Sequence, residues 1–267
     1  MKKIFALLFV SLSFFVCAFG QHPLYGTWQM ISIKGINANG EKFSADTSTI
    51  RETKVITPTH YMLIAEDVEN DSLVFNRCYF GTIQLEGEKY IEMPILSSAT
   101  IFENVKTDFT WKVVGDRFIQ AGTVIRPDGK KVVLEELVFQ RVKTATSYPK
   151  NAANGTWKLV KSSSVNVEGA TREDTDKTVT AYQLITPTYW MYVISRDKKF
   201  EEAMGGSYSL KGDKYYPSLD VASFPKKFWG QTEMTQKLSG GKLHSTGVSK
   251  LADGKKFTWD DYFEKVK

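Results

Sequence analysis

The chain has 267 residues, of which 42% are hydrophobic and 13% aromatic, and its 35 basic and 30 acidic side chains leave a net charge of +5. The basic residues form no phosphate-binding stripe, since Lys198-Lys199 is followed by Glu201-Glu202 and Lys226-Lys227 stands beside Phe228-Trp229, and this argues against nucleic acid as a partner. The only cysteines are Cys17 and Cys78, so no disulfide framework exists and stability must come from buried apolar area.

Residues 1–20 combine Lys2 and Lys3, an apolar run from Ile4 to Phe19 broken by Ser11 and Ser13, and small Ala18 and Gly20 just before Gln21. That is the pattern of a bacterial export signal, and the run is short for a bilayer core of about 30 Å. The expectation is an exported protein, periplasmic or secreted, cleaved after Gly20 and without a transmembrane segment thereafter. Cys17 follows Phe15 and Val16 rather than small residues, which argues against a lipid anchor. Loss of Lys2 and Lys3 takes the charge from +5 to +3 and leaves Cys78 alone, so an internal disulfide is impossible. The setting of Cys78 between Leu73 and Phe80 predicts a buried or half-buried strand cysteine.

From residue 27 onward the apolar period is two, the strand period. Strands are predicted over 27–34, 53–57, 61–64, 79–85, 89–92, 108–114, 117–125 and 131–142. Thr57-Pro58-Thr59, Gly87-Glu88, Gly115-Asp116 and Pro127-Asp128-Gly129 supply the reversals between them. The second half repeats the pattern over 155–163, 178–185, 189–195, 206–211, 214–217, 232–238, 242–249 and 256–265. Residues 94–104 and 218–230 fall between strands and have room for a short turn of helix.

The two halves are copies of each other. Gly26-Thr27-Trp28 recurs as Gly155-Thr156-Trp157, and Ile56-Thr57-Pro58-Thr59 recurs as Ile185-Thr186-Pro187-Thr188, both at a separation of 129. Leu85 to Tyr90 answers Leu210 to Tyr215, and Asp128-Gly129-Lys130-Lys131 answers Asp253-Gly254-Lys255-Lys256, at a separation of 125, as if the second copy had lost four residues in between. A unit this long is a duplicated domain and not a solenoid repeat. The predicted organisation is a leader over 1–20, one domain over 21–143, a polar linker over 144–153 and a second domain over 154–267. About eight strands per copy, joined as a meander of hairpins, predict an all-β chain of two tandem antiparallel up-and-down barrels, because closing the sheet removes both exposed edges.

A Gly-x-Trp at the head of the first strand, a meander of about eight strands and a basic residue in the last strand resemble the lipocalin-like, or calycin-type, β-barrels. More narrowly, the Gly-Thr-Trp-Lys-Leu opening and the duplication resemble the exported lipocalin-like domains of Bacteroides-group bacteria. The resemblance implies that the motif tryptophan plugs one end of each barrel beneath a basic side chain, pairing Trp28 with Arg141 and Trp157 with Lys265.

A barrel of this size either fills its interior with side chains or holds one small ligand. Candidate lining residues are Tyr61, Leu63, Phe80, Trp111 and Phe118 in the first copy, and Tyr182, Trp190, Tyr192, Tyr208, Tyr215 and Trp259 in the second. The second copy is richer in rings with a polar handle, which suit a partly wet pocket. His22, His60 and His244 form no spaced cluster and read as surface or rim residues, so no metal site is expected. Glu135-Glu136 and Asp260-Asp261 occupy matching places in the last strand, and only one of each pair can point inward, to anchor a polar ligand or to pair with Arg141 or Lys265. No nucleophile elbow, metalloprotease helix or phosphate-cradling glycine loop is present. The sequence therefore predicts a non-catalytic binding protein, without cofactor, for a small, partly apolar or amphipathic molecule. The alternative is a structural or interaction protein of the cell envelope that binds a protein or glycan through surface loops such as Phe224-Pro225-Lys226-Lys227-Phe228-Trp229.

Overall fold

Alternation of Trp28 and Met30 with Gln29 and Ile31 holds the first strand, β1 (Gly26–Ile36), extended and sends Trp28 and Met30 into a core from which water is excluded. The computed structural model describes residues 22–99, 105–143, 153–174, 177–211, 214–225, 230–251 and 253–267. The stretches expected as leader and linker, residues 1–20 and 144–153, lie outside these residues except for Ala153.

In the first copy β1 is followed by β2 (Lys42–Asp46), β3 (Ile50–Ile56), β4 (His60–Glu69), β5 (Ser72–Glu86), β6 (Lys89–Ser97), β7 (Thr107–Val114), β8 (Arg117–Ile125) and β9 (Lys131–Arg141). Each pairs antiparallel with the next from β3 to β9, and β9 returns to β1 with Trp28 opposite Arg141 and Met30 opposite Phe139. On its other flank β1 pairs β3 along its first residues and β2 along its last, so β2 and β3 lie end to end and share one of eight positions around a closed barrel.

The second copy closes in the same way. It comprises β10 (Gly155–Val165), β11 (Thr171–Asp174), β12 (Val179–Ile185), β13 (Tyr189–Arg196), β14 (Lys199–Lys211), β15 (Lys214–Pro217), β16 (Val221–Ala222), β17 (Gln231–Ser239), β18 (Lys242–Lys250) and β19 (Lys256–Lys265). Pairing of β10 with β19 seals it. The chain is thus a tandem of two eight-stranded antiparallel barrels, with no helix among the described residues and so none there long enough to cross a membrane.

The shift in repeat separation has a place in the fold. The hairpin β4–β5 turns at Asn70 and Asp71, and its equivalent β13–β14 turns at Asp197 and Lys198, all four at positive φ. Strands β4 and β5 have 10 and 15 residues where β13 and β14 have 8 and 13, so the four lost residues come two from each arm of this hairpin. At the other end of the same strands, Gly81 and its equivalent Gly206 sit where the neighbouring strand presses in. A Cβ on Gly81 would lie 2.1 Å from the Met93 carbonyl oxygen, and one on Gly206 1.7 Å from that of Ser218, so only glycine allows the approach.

The barrels share a core on their outer faces. Val55, Met62, Ile64 and Phe80 from the first pack with Leu184, Met191, Val193 and Val221 from the second, all buried. The arrangement is pseudo-twofold. Thr27 Oγ1 meets Thr186 Oγ1 at 2.9 Å, and the equivalent pair, Thr57 Oγ1 and Thr156 Oγ1, meets at 2.8 Å, so these buried hydroxyls satisfy one another. Cys78 and its equivalent Ala203 are both fully buried in this interface, where a small side chain fits.

Several expectations change here. Phe80 and Tyr182 line no barrel interior: they stack on each other between the barrels, with ring centroids 4.4 Å apart. Alternation cannot tell inside from outside on strands whose two faces are both apolar. His60 is not a rim residue, being 5% exposed and stacked on Phe80 at 5.4 Å, and burial lowers its pKa to about 4. Pro94 lies within β6, and Val221–Ala222 forms β16, so neither inter-strand region holds a helix in its described part. Residues 100–104 and 226–229, including Lys226, Lys227, Phe228 and Trp229, lie outside the described residues.

Candidate ligand cavity in the second barrel

The first strand of each barrel sends a fully buried tryptophan into the core. Trp28 Nε1 donates to the Leu24 carbonyl oxygen at 2.8 Å, and Trp157 Nε1 to that of Ala153 at 2.6 Å, four residues upstream in both cases. The Arg141 guanidinium carbon lies 4.0 Å from the Trp28 ring centroid, and its Nη atoms donate to the Tyr25 and Pro23 carbonyl oxygens. Lys265 Nζ lies 5.4 Å from the Trp157 ring centroid, a looser cation–π contact.

Beyond these tryptophans the interiors diverge. In the first barrel Lys54, 1% exposed, points to the axis, where its ammonium donates to Glu92 Oε1 and to Gln120 Oε1, the latter at 3.1 Å. The ring centroids of Tyr61, Tyr90, Phe118 and Phe139 surround Nζ at 5.2–5.9 Å. A buried ammonium costs several kcal/mol unless paired, and this one has a carboxylate, an amide and an aromatic cage. Toward the open end a second ion pair joins Arg77 Nη2 to Glu52 Oε2 at 2.7 Å.

In the second barrel both pairs are dismantled. Lys54, Glu92 and Gln120 correspond to Gln183, Pro217 and Ser245, while Glu52 and Arg77 correspond to Ala181 and Glu202. The space vacated is a cavity of about 410 Å³, lined by Gln183, Pro217 and Ser245 themselves and by Glu202. Its apolar wall is Trp190, Tyr192, Ile194, Met204, Phe224, Met234, Phe257, Trp259 and Phe263. Ser162, Ser164, Thr232, Ser249 and Asp261 complete it, with Thr232 and Ser249 hydrogen-bonded to each other. The Trp259 ring rests on Gly247: a Cβ there would meet its Cζ2 at 2.1 Å.

The paired acids of the last strand separate as strand geometry requires. Asp261 faces the cavity and accepts a hydrogen bond from Ser162 Oγ at 2.6 Å, while Asp260 faces out and meets His244 Nε2 at 2.8 Å. Burial holds the Asp261 carboxyl up at about 6, and burial followed by neighbouring Glu201 raises that of Glu202. The first copy does not match as its sequence suggests. A register shift at Glu135 makes Glu136 the equivalent of Asp260 and buried Leu137 the equivalent of Asp261, so Glu136 bonds Lys34 at the surface at 3.0 Å. Neither Arg141 nor Lys265 is the partner of an inward acid.

Of the candidate lining residues, Trp190, Tyr192 and Trp259 line the cavity. Tyr61, Leu63 and Phe118 are buried in the filled interior of the first barrel, and Trp111 packs against that core, 5.5 Å from the His22 ring. Tyr208 and Tyr215 stand together in the second barrel's core, 5.6 Å apart, with Tyr208 Oη donating to the Thr186 carbonyl oxygen at 2.7 Å, and neither forms the cavity wall. Sequence reasoning passed over Gln183 and Met234, whose signal was their inward parity with Trp157 and Trp190. Among the described residues no group of three His, Cys, Asp or Glu side chains is placed to hold a metal.

No protein-family model and no curated protein matches the chain. Among solved structures it is similar to a protein of unknown function of the DUF3598 family from Nostoc punctiforme, at 12% identity and a TM-score of 0.26, over 91% of this chain and 97% of that one. Kievitone hydratase from Nectria haematococca is 9% identical over 92% of this chain and 90% of its own, with a TM-score of 0.24. Transferrin binding protein B, isotype 1, from serogroup B Neisseria meningitidis is 6% identical over 90% of this chain and 76% of its own, with a TM-score of 0.28. At these identities and scores the similarities carry no chemistry to this chain. They support neither the lipocalin nor the Bacteroides-group assignment, and what stands is an all-β tandem of two closed barrels.

Proposed function

We propose that the protein is an exported, non-catalytic, lipocalin-like binding protein in which the first barrel is a packed support and the second holds one small amphipathic molecule. The observation that carries this reading is the pairwise replacement of Lys54, Glu92 and Gln120 by Gln183, Pro217 and Ser245, with about 410 Å³ open where the first barrel holds its buried ion pair. That volume suits a ligand of one to three rings, and a mostly apolar wall with a few convergent polar groups is the usual character of a small-molecule site.

Titration of small aromatic amphiphiles should change tryptophan emission through Trp190 and Trp259. The variant Gln183→Lys/Pro217→Glu/Ser245→Gln, which gives the second barrel the first barrel's filling, should abolish that response while keeping the fold by circular dichroism. A response that survives in the filled variant, or none with any compound, removes the reading.

A second reading, a cell-envelope protein that binds a protein or glycan through surface loops, is favoured by the β4–β5 hairpin. The first copy extends it past its equivalent and exposes Leu73 and Val74 at its tip. Leu73→Ser/Val74→Ser should then release partners retained from an envelope extract, and unchanged retention counts against it.

A further inference from the structure

The cavity wall carries charge of one sign. Glu202 and Asp261 face it, and among the described residues no lysine, arginine or histidine lines it. Gln183 is 6% exposed, and its Oε1 lies buried in the wall without a hydrogen-bond partner. A buried acceptor left unbonded keeps its desolvation penalty, so this site favours an occupant that donates.

The first barrel shows what kind of donor fits. There the equivalent of Gln183 is Lys54, whose ammonium is held by an acceptor pair inside a cage of Tyr61, Tyr90, Phe118 and Phe139. Three of those four positions stay aromatic in the second barrel, as Trp190, Tyr215 and Phe263, and Leu243 takes the fourth. The chain has withdrawn its own cation, and two of the retained rings, Trp190 and Phe263, face the cavity.

Among the described residues neither acid is ion-paired to a cation that faces the cavity. The groups around Asp261 are the Ser162 hydroxyl, outward Asp260 and His244 on the neighbouring strand. Glu202 has Glu201 beside it, and Arg196 is engaged with Glu201 at 3.4 Å.

We propose that the second barrel binds an aromatic amine as its cation, the ligand's ammonium taking the role that Lys54 plays in the first barrel, with the Gln183 amide oxygen as acceptor, Trp190 and Phe263 as π faces and Asp261 and Glu202 as counter-charge. This deepens the container reading and rests on it. A carboxylate ligand such as a fatty acid meets like charge in this wall and is rejected.

The test is calorimetric titration of the full chain with three probes that share one ring: tryptamine, a cation; tryptophol, neutral; and indole-3-propionate, an anion. At pH 7.5 tryptamine should bind at least tenfold more tightly than tryptophol, and indole-3-propionate more weakly than either. In Asp261→Asn/Glu202→Gln the tryptamine advantage should vanish while tryptophol binding is retained. At pH 5 it should shrink in the wild type, because Asp261 is then protonated while the amine stays charged. Equal or tighter binding of tryptophol or of the anion, or an advantage that survives in the double variant, overturns the proposal but leaves a container standing. Heat from none of the three overturns it too, and the filled-variant titration then decides separately whether the cavity holds anything.

Discussion

Phe75 and Phe200 occupy the same position in the two copies and stack on each other, with ring centroids 5.7 Å apart and planes within 5° of parallel. A contact between equivalent residues lies on the pseudo-twofold axis, so each ring finds in the other copy the partner it offers. Because the rings share one contact, their truncation should be non-additive. Phe75→Ala and Phe200→Ala should each destabilise the chain, and the double variant should cost less than the sum by about 0.5–1.5 kcal/mol. Urea unfolding of the three variants checks this, and strict additivity would show that the stack contributes nothing of its own.

The buried ion pair of the first barrel predicts an asymmetry between single and double substitutions. Lys54→Met leaves Glu92 buried without its cation and should cost about 3–5 kcal/mol. Lys54→Met/Glu92→Leu removes both charges and should recover most of that loss. Chemical denaturation reads the difference.

The two tryptophan–cation pairs should differ in sensitivity. Arg141 combines a 4.0 Å approach to the Trp28 ring with hydrogen bonds to two carbonyls, whereas Lys265 is exposed and 5.4 Å from Trp157. Arg141→Ala should cost about 1–3 kcal/mol, and Lys265→Ala less than about 1 kcal/mol. Arg141→Lys should restore little, because an ammonium cannot stack flat and serve two carbonyls. Thermal unfolding of the three variants orders them.

Two groups give opposite pH signatures. His60 is held neutral, its pKa lowered by burial from 6.5 to about 4, so the unfolded chain binds more protons between those values and stability falls as pH drops through that window. Asp261 is raised from 3.8 to about 6, so the folded chain binds the extra proton there and stability rises as pH drops through 6. His60→Tyr, which copies Tyr189 of the second barrel, should flatten the loss between pH 7 and pH 4.5. Asp261→Asn should stabilise at pH 7.5 by about 1–2 kcal/mol and leave stability at pH 4 nearly unchanged. Urea midpoints across pH measure both.

The strand period, the duplication and barrel closure were readable because they depend on local alternation and on turn residues such as Gly115 and Gly129. Strands β2 and β11 were not: Lys42–Asp46 and Thr171–Asp174 are short and polar, and they are strands because β1 and β10 have flanks to cover. Faces were legible only where one side met water. Phe80 and Tyr182 were misassigned because the second barrel makes the outside of the first apolar. The cavity was the hardest feature to see, since Gln183, Pro217 and Ser245 signify nothing singly. They acquire meaning against Lys54, Glu92 and Gln120, residues up to 66 positions apart that only the closed barrel brings together.

The reciprocal threonine contacts have a consequence for the chain's history. Each copy carries both halves of the contact, one threonine early in its first strand and one as the first residue of its Thr-Pro-Thr corner, so a single unit would be complementary to itself. Fusing two such units end to end makes association independent of concentration and lets them diverge, one keeping the Lys54 ion pair at its centre while the other has open space in the same place.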